Sequence, residues 1–99
     1  MNNVALKMVL KNDEIKRIHP TGTGLSVDLH KLSVRDARRL VRNIIAISRD
    51  SMDLEVIHGY HHGTAIKEML HTEKLSNRIS GMEGVKGNLG RTILHVAAA

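Results

Sequence analysis

The amino-acid sequence predicts an α/β fold, in which a four-stranded sheet of mixed direction packs with two helices. Three observations predict it. Apolar and polar residues alternate in "LSVDLH", residues 25–30, and apolar residues recur with helical spacing over residues 33–50. Two further strand-like segments flank "GNLG", residues 87–90. The predicted order is strand, helix, strand, helix, strand, strand, and we expect right-handed crossovers in the first connections.

The chain has the size of one domain and is basic. Its 99 residues, 41% of them hydrophobic, can bury one modest core. Fifteen Lys and Arg against ten Asp and Glu give a formal charge of +5, which favours an anionic partner such as nucleic acid. One Tyr and no Phe or Trp argue against the aromatic platforms of single-strand binders. The absence of Cys excludes disulfides and thiolate metal sites and fits a reducing cytosol.

Residues 1–24 are interpreted as an N-terminal extension and linker, and residues 25–99 as the domain. The run "VALKMVL" could be an edge strand or a short helix, and Lys7 interrupts it. It is too short for a signal sequence or a membrane span, so we expect a cytoplasmic protein without membrane contact. The segment "HPTGTG", residues 19–24, is typical of a turn. The oligomeric state stays open, with a monomer favoured.

The first predicted strand, residues 25–30, separates apolar from polar side chains. Leu25, Val27 and Leu29 share one face. Asp28 and His30 share the other face with Ser26. Two groups that can exchange protons therefore point in the same direction.

Residues 33–50 predict an amphipathic helix that begins with Ser33 as N-cap and Asp36 three residues later. The apolar face comprises Val34, Ala37, Leu40, Val41, Ile44, Ile45 and Ile47. The opposite arc, roughly 100° wide, carries Arg35, Arg38, Arg39, Arg42 and Arg49 and no carboxylate. This arc is either a solvated helix face or a surface for phosphate groups, which arginine binds in a bidentate manner.

The second predicted strand, Met52 to Gly59, leads through "GYHHG" into a second helix. Thr64 is its expected N-cap. Its expected buried side comprises Ala65, Ile66, Met69 and Leu70. The last two strands, in "NRISGMEGVK" and "RTILHVA", are expected to join across a turn at residues 87–90.

The strand ends predict a ligand site, because the carboxyl ends of neighbouring strands in such sheets meet at one crevice. His30 and His58 each end a predicted strand. If the strands are neighbours, Asp28, His30 and His58 converge there. Glycines 59 and 63 and the start of the second helix suit a phosphate. A metal clamp made by His58, His61 and His62 is disfavoured, because adjacent side chains diverge.

Three segments, "VDLHKLSVRDARRLV", "VIHGYHHGTAIKEML" and "NLGRTILHV", together resemble the small MutS-related (Smr) domain over residues 25–96. The resemblance implies a two-layer sandwich like the C-terminal domain of bacterial translation initiation factor three. It also implies a role on nucleic acid, since the family includes DNA-nicking and RNA-cleaving endonucleases and domains for which only binding is supported.

The family's motifs fall on particular residues of this chain. Its D-L-H corresponds to residues 28–30, and its H-G-x-G loop begins at His58 and Gly59. Its asparagine-glycine-threonine pattern corresponds to Asn88, Gly90 and Thr92. There are two departures: Lys31 stands where a glycine usually follows D-L-H, and His61 replaces the second loop glycine.

The first functional hypothesis is an Smr-type endonuclease acting on RNA or DNA. Asp28 would orient His30, which would work with His58 as general base and general acid. The expected phosphate-binding residues are Gly59, His61, His62, Gly63 and Thr64. The expected nucleic-acid-binding residues are Arg35, Arg38, Arg39, Arg42 and Lys67. In a variant of this scheme, Asp28 and the histidines hold a divalent cation, Mg²⁺ or Mn²⁺, that activates water.

Other hypotheses use the same residues differently. The departures at Lys31 and His61 favour a binding module without catalysis, which docks on structured nucleic acid or ribonucleoprotein. A third possibility is a small α/β protein that binds a phosphorylated metabolite, or a zinc-dependent interaction domain using His58, His61 and His62.

Overall fold

The computed structural model describes residues 7–59 and 64–99. Residues 7–9 are helical. The elements that follow are α1 (Asn12–Ile15), β1 (Ile18–Pro20), β2 (Gly24–Asp28), α2 (Val34–Ile47), β3 (Met52–Ile57), α3 (Thr64–Thr72), β4 (Ile79–Val85) and β5 (Asn88–Val96). The predicted mixed α/β class and the order of elements from β2 onward are confirmed.

The strands form a single mixed sheet in the order β1-β2-β3-β5-β4. β2 and β3 pair in parallel, and the other neighbours are antiparallel. The prediction of four strands and two helices is therefore wrong, because β1 adds a fifth strand and the helical residues 7–9 and α1 add to the two crossover helices. β1 has only three residues and ends in Pro20, so its sequence carries no alternating pattern. Proline, which lacks an N–H donor, is tolerated at the edge of a sheet, where β1 lies.

Part of the segment interpreted as extension and linker packs against the domain. Leu10 is buried, and Ile15 and Ile18 pack against the core. Glu14 is also buried, and its Oε2 lies 2.5 Å from Nη2 of Arg39 on α2. The chain is thus integrated with the sheet and helices from Leu10 onward.

The two crossover helices pack on one face of the sheet. The inward side chains of β2, β3 and β5 alternate along the strands, as in Val27, Leu54 and Leu94, each fully buried. The buried residues of α2 are Ala37, Leu40, Val41, Ile44 and Ile45, and those of α3 are Ile66, Met69 and Leu70. The predicted apolar face of α2 is confirmed, with its two end residues half-buried, whereas Ala65 is exposed rather than buried.

The opposite face of the sheet, here called the open face, carries polar and half-buried residues. Strand pairing aligns them in rows that run across the sheet. One row joins Asp28, Ile57 and Arg91, and the next joins Ser26, Glu55 and Ile93. A site at the end of β2 or β3 therefore continues onto this face.

Two predicted connections can be compared with the structure. Oγ of Ser33 accepts a hydrogen bond from the backbone N–H of Asp36 at 3.1 Å, which confirms the predicted cap of α2. The turn expected at residues 87–90 lies instead at residues 86–87, where Gly87 has φ +79°. The residues from Asn88 to Gly90 belong to β5, because Asn88 pairs with Val85 and Gly90 with the end of β3.

Candidate active site at the carboxyl ends of β2 and β3

The parallel pairing of β2 and β3 brings the expected residues to one edge of the sheet. Asp28 is the register partner of Ile57, and the N–H of Leu29 donates to the carbonyl of Ile57 at 2.8 Å. His30 and His58 therefore lie at the same edge of the sheet, where Gly59 is the neighbour of His30 and His58 turns into the core. The prediction that the two predicted strands are neighbours is confirmed.

Asp28 and His30 form a hydrogen-bonded pair, here called the dyad. Oδ1 of Asp28 accepts from the backbone N–H of His30 at 3.0 Å and from Nδ1 of its ring. Partial burial would raise the pKa of the Asp28 carboxyl. The hydrogen bonds from His30, with the positive charges of His30 and Arg17, outweigh burial and hold that pKa below its usual value.

The carboxylate of Asp28 fixes the tautomer of His30. Because a carboxylate only accepts, the proton of the neutral ring lies on Nδ1 and the lone pair on Nε2. The His30 side chain is 51% exposed, and within residues 7–59 and 64–99 its Nε2 has no hydrogen-bond partner. Nothing among the described residues therefore prevents Nε2 from taking a proton from a bound molecule.

Arg17 binds the backbone of the dyad from the side of β2 that faces β1. Its Nη1 donates to the backbone carbonyls of Asp28, at 3.0 Å, and of His30, at 3.1 Å. Sequence reasoning missed Arg17, which precedes β1 in the segment interpreted as an extension. Only the antiparallel pairing of β1 with β2, which has no local signal, places it there.

His58 lies at the same edge but in a different setting. It is 1% exposed, its Nδ1 donates to the carbonyl of Gly59 at 2.9 Å, and its Nε2 accepts from the hydroxyl of Thr92 at 3.0 Å. Burial lowers the pKa of His58; the bond to Gly59 opposes this, and the charges of Lys67 and His71 reinforce it. A buried neutral ring with both nitrogens engaged does not fit the general acid that the sequence analysis expected.

The start of β5 holds His58 and Gly59 in place. The carbonyl of Gly90 accepts from the N–H of His58 at 2.9 Å and from that of Gly59 at 3.1 Å, and the N–H of Gly90 donates to Oδ1 of Asn88 at 3.0 Å. A Cβ on Gly90 would lie 3.3 Å from the backbone of Gly59. Together with the hydroxyl of Thr92, these contacts give Asn88, Gly90 and Thr92 a structural reason to occur together.

Gly59 itself needs a glycine conformation. Its φ is +82°, which disfavours any residue with a Cβ. A Cβ at this position would also lie 3.9 Å from Cβ of His30. Gly59, two residues after the end of β3, thus lies beside His30 of the dyad.

The predicted phosphate loop is described only at its ends. The predictions for His61, His62 and Gly63 lie outside the described residues. Thr64 is the first residue of α3 and is exposed, and Lys67 is half-buried on the same helix. The positive charge of Lys67 acts on His58, so it lies near this edge of the sheet.

The five arginines of α2 and its end do not form a uniform stripe. Nε and Nη2 of Arg38 contact both carboxylate oxygens of Glu73, at 2.7 and 2.8 Å, and Arg39 is paired with Glu14. The absence of carboxylates within the helix therefore did not mean absence of neutralising partners. Arg35 is 91% exposed, with only Asp36 at 4.0 Å, and exposed Arg42 has no ion pair in the part of the chain that the structure describes.

A second histidine that pairs with carboxylates, His95, lies at the far end of the open face. Nδ1 of His95 is 2.7 Å from Oδ1 of Asp53, and its Nε2 is 3.0 Å from Oε1 of Glu83. The hydrogen bond with Asp53 raises the pKa of His95; slight burial opposes this, and Glu83 adds to the rise. The cluster links β3, β5 and β4. Sequence reasoning missed it, because register alone brings these residues together.

Neither a metal site nor a membrane-spanning helix is found in the described part of the chain. Among residues 7–59 and 64–99, no group of three or more His, Asp or Glu residues is arranged to hold a metal ion. The zinc hypothesis also needs His58, whose ring nitrogens are both engaged. None of the described helices is long and apolar enough to cross a membrane.

Comparison with protein-family models gives no match for this chain. Comparison with curated proteins gives no significant relative either.

Proposed function

We propose that this protein is a nucleic-acid-binding Smr-type domain whose Asp28–His30 dyad cleaves phosphodiester bonds in RNA or DNA. The observation that carries the proposal is the dyad itself. A half-exposed imidazole is oriented by a carboxylate at the edge where a parallel strand pair ends, and its Nε2 has no hydrogen-bond partner among residues 7–59 and 64–99.

The dyad supplies a general base. Nε2 of His30 takes the proton of the attacking oxygen, which belongs either to water or, in RNA, to the 2′-hydroxyl beside the scissile phosphate. As the new P–O bond forms and the bond to the leaving oxygen breaks, Asp28 stabilises the imidazolium that results. The leaving oxygen takes its proton from solvent or from a group outside the described residues.

His58 has a positioning role in this proposal. Its hydrogen bonds to Gly59 and Thr92 hold the backbone of Gly59 beside His30. The backbone that follows Gly59 leads to the N-terminus of α3, where free N–H groups suit a phosphate. Lys31, Arg35, Arg42 and Lys67 supply positive charge for the neighbouring phosphates.

Substitution of the dyad tests the proposal. We expect His30→Ala to lower the cleavage rate by roughly 10²–10⁴-fold and Asp28→Asn to lower it less, because the latter removes only the orienting group. Exposed His19 on β1, with no side-chain hydrogen bond among the described residues, provides the matched control His19→Ala. Unchanged cleavage in His30→Ala would show that this site is not the nuclease site.

Chelation separates two routes. Cleavage through the 2′-hydroxyl is confined to RNA and survives EDTA, whereas nicking of DNA that EDTA abolishes requires a divalent cation. Both substrates should be assayed with and without EDTA, with each dyad variant beside the wild-type protein.

The second candidate function is a binding module without catalysis. The closed environment of His58 favours it, since both ring nitrogens of this expected proton-transfer group already have partners inside the protein. Salt-dependent binding without cleavage by the wild-type protein would support this function over the nuclease.

A further inference from the structure

An open depression of about 450 Å³ adjoins the dyad on the open face of the sheet. It is lined by Ile57 from the end of β3 and by Leu89, Gly90 and Arg91 from the start of β5, with Gly59 at the dyad side. Ile57 lies between Asp28 and Arg91 in one cross-strand row. The volume is within the roughly 300–1,000 Å³ typical of small-ligand sites.

The depression has an apolar floor and an exposed apolar rim. Ile57 is half-buried, while Leu89 is 63% exposed. Among the described residues the other exposed large hydrophobic side chains are Met8 and Val9, on a different element. The apolar side chain of Leu89 is therefore shielded from water only when a ligand occupies the depression.

Arg91 presents a fixed but largely neutralised guanidinium. Its Nη1 donates to Oε1 of Glu55, which lies in the adjacent row of the same face. The Arg91 side chain is 40% exposed and that of Glu55 is 25% exposed. Because Glu55 offsets the charge, Arg91 suits contact with a flat ring better than binding a phosphate.

We propose that this depression is a nucleobase subsite, which holds the base of a nucleotide next to the scissile phosphate between Ile57, Leu89 and the plane of Arg91. The inference rests on the proposed function, because the scissile phosphate must lie beside the dyad for a neighbouring base to reach the depression. A base paired inside a duplex cannot enter it. The substrate is therefore single-stranded or locally unpaired, and aliphatic and guanidinium surfaces replace the aromatic platform that the composition lacks.

The test combines changes in the nucleic-acid strand with substitutions in the protein. Labelled single strands of RNA and of DNA, about ten nucleotides long, carry one abasic position at a time, and affinity is measured by fluorescence anisotropy. We expect one abasic position to weaken binding by about fivefold or more, in line with the loss of one stacked base. Leu89→Ala should weaken binding of the intact strand similarly and should weaken the abasic strand no further.

One variant serves as a control and a second tests the contribution of Arg91. Met8→Ala removes a side chain that is 81% exposed outside the depression and should leave affinity unchanged. Arg91→Lys keeps the charge but removes the plane, so it should weaken binding of the intact strand and not that of the abasic strand.

The failures of the two proposals can be told apart. Binding or cleavage in which no abasic position matters, or in which Leu89→Ala and the abasic change act additively, overturns the subsite and leaves the proposed function standing. If the wild-type protein binds none of the strands and no duplex control, both proposals fall.

Discussion

Lys31 occupies a backbone conformation that its side chain does not favour. Its φ is +68°, the left-handed region in which the turn from β2 to α2 places it. That region costs an L-residue roughly 1–2 kcal/mol. The glycine that the resemblance leads one to expect after Asp28-Leu29-His30 therefore has a physical reason, whereas this chain has a lysine in that strained conformation.

We predict that Lys31→Gly raises the free energy of unfolding by up to about 1 kcal/mol, since relief of strain exceeds the entropic cost of glycine. Lys16→Gly is the matched control. Lys16 is exposed with φ −63°, so there glycine should lower stability by about 0.5–1 kcal/mol. Urea denaturation measures both. Equal losses in the two variants would contradict strain at Lys31.

The contributions of His58 and His95 to the free energy of unfolding depend on pH in opposite directions. His58 has a lowered pKa, so the unfolded chain binds the proton more readily, and its contribution is lost as pH falls below about 6.5, the unperturbed value. His95 has a raised pKa. Its contribution is fully present below about 6.5 and is lost as pH rises through its folded-state pKa.

His95→Gln isolates the second effect. We expect the stability difference between wild type and variant to be largest below pH 6.5 and to shrink as pH rises, because protonated His95 donates to both Asp53 and Glu83. His19→Gln, on an exposed histidine without an ion pair among the described residues, is the control. Thermal unfolding at several pH values measures the difference. A constant difference would exclude the ion pairs as its cause.

At the scale of elements, two arginines of α2 form ion pairs with neighbouring segments and two others are exposed to solvent. Arg38 and Arg39 hold α2 to the residue after α3 and to α1, respectively. Arg35 and Arg42 remain exposed about two turns apart, about 10 Å along the helix. The N-terminus of α2 follows the dyad in sequence, so Arg35 lies at the site's end of the helix.

We therefore predict that Arg42→Ala weakens nucleic-acid binding and reduces the salt dependence by about one phosphate contact, with stability unchanged within about 0.5 kcal/mol. Arg38→Ala should do the reverse, because it removes a bidentate pair with Glu73: stability falls and the salt dependence holds. Anisotropy titrations at several salt concentrations, with urea denaturation, distinguish the two. Identical salt slopes in both variants and wild type would remove α2 from the binding surface.

At the scale of the molecule, the N-terminal segment belongs to the stability of the whole. We predict that a chain lacking residues 1–23 loses more than about 3 kcal/mol of unfolding free energy, since it lacks buried Leu10 and the edge strand β1. Leu10→Ala in the full chain is the comparison. If the truncated chain is no less stable than Leu10→Ala, β1 adds nothing to the fold.

The fold was predictable from the sequence where local patterns decide it. The buried face and cap of α2 follow from spacing within one helix, and the convergence of Asp28 and His30 follows from strand alternation. The environment of His58 could not be predicted from local patterns, because Thr92, which binds its ring, is 34 residues away in the sequence. The same holds for the Arg38–Glu73 pair, 35 residues apart, and for Arg17, which acts through a strand of three residues.

The position of β5 has a consequence for how the chain is made. It is the last strand in the sequence, yet it lies between β3 and β4 in the sheet. While a ribosome is still synthesising residues 88–96, β4 has no strand to pair with, and the core lacks Leu94 and Val96. Burial cannot be completed until β5 emerges, so a nascent chain of this protein exposes apolar surface to chaperones and proteases until the last strand is released.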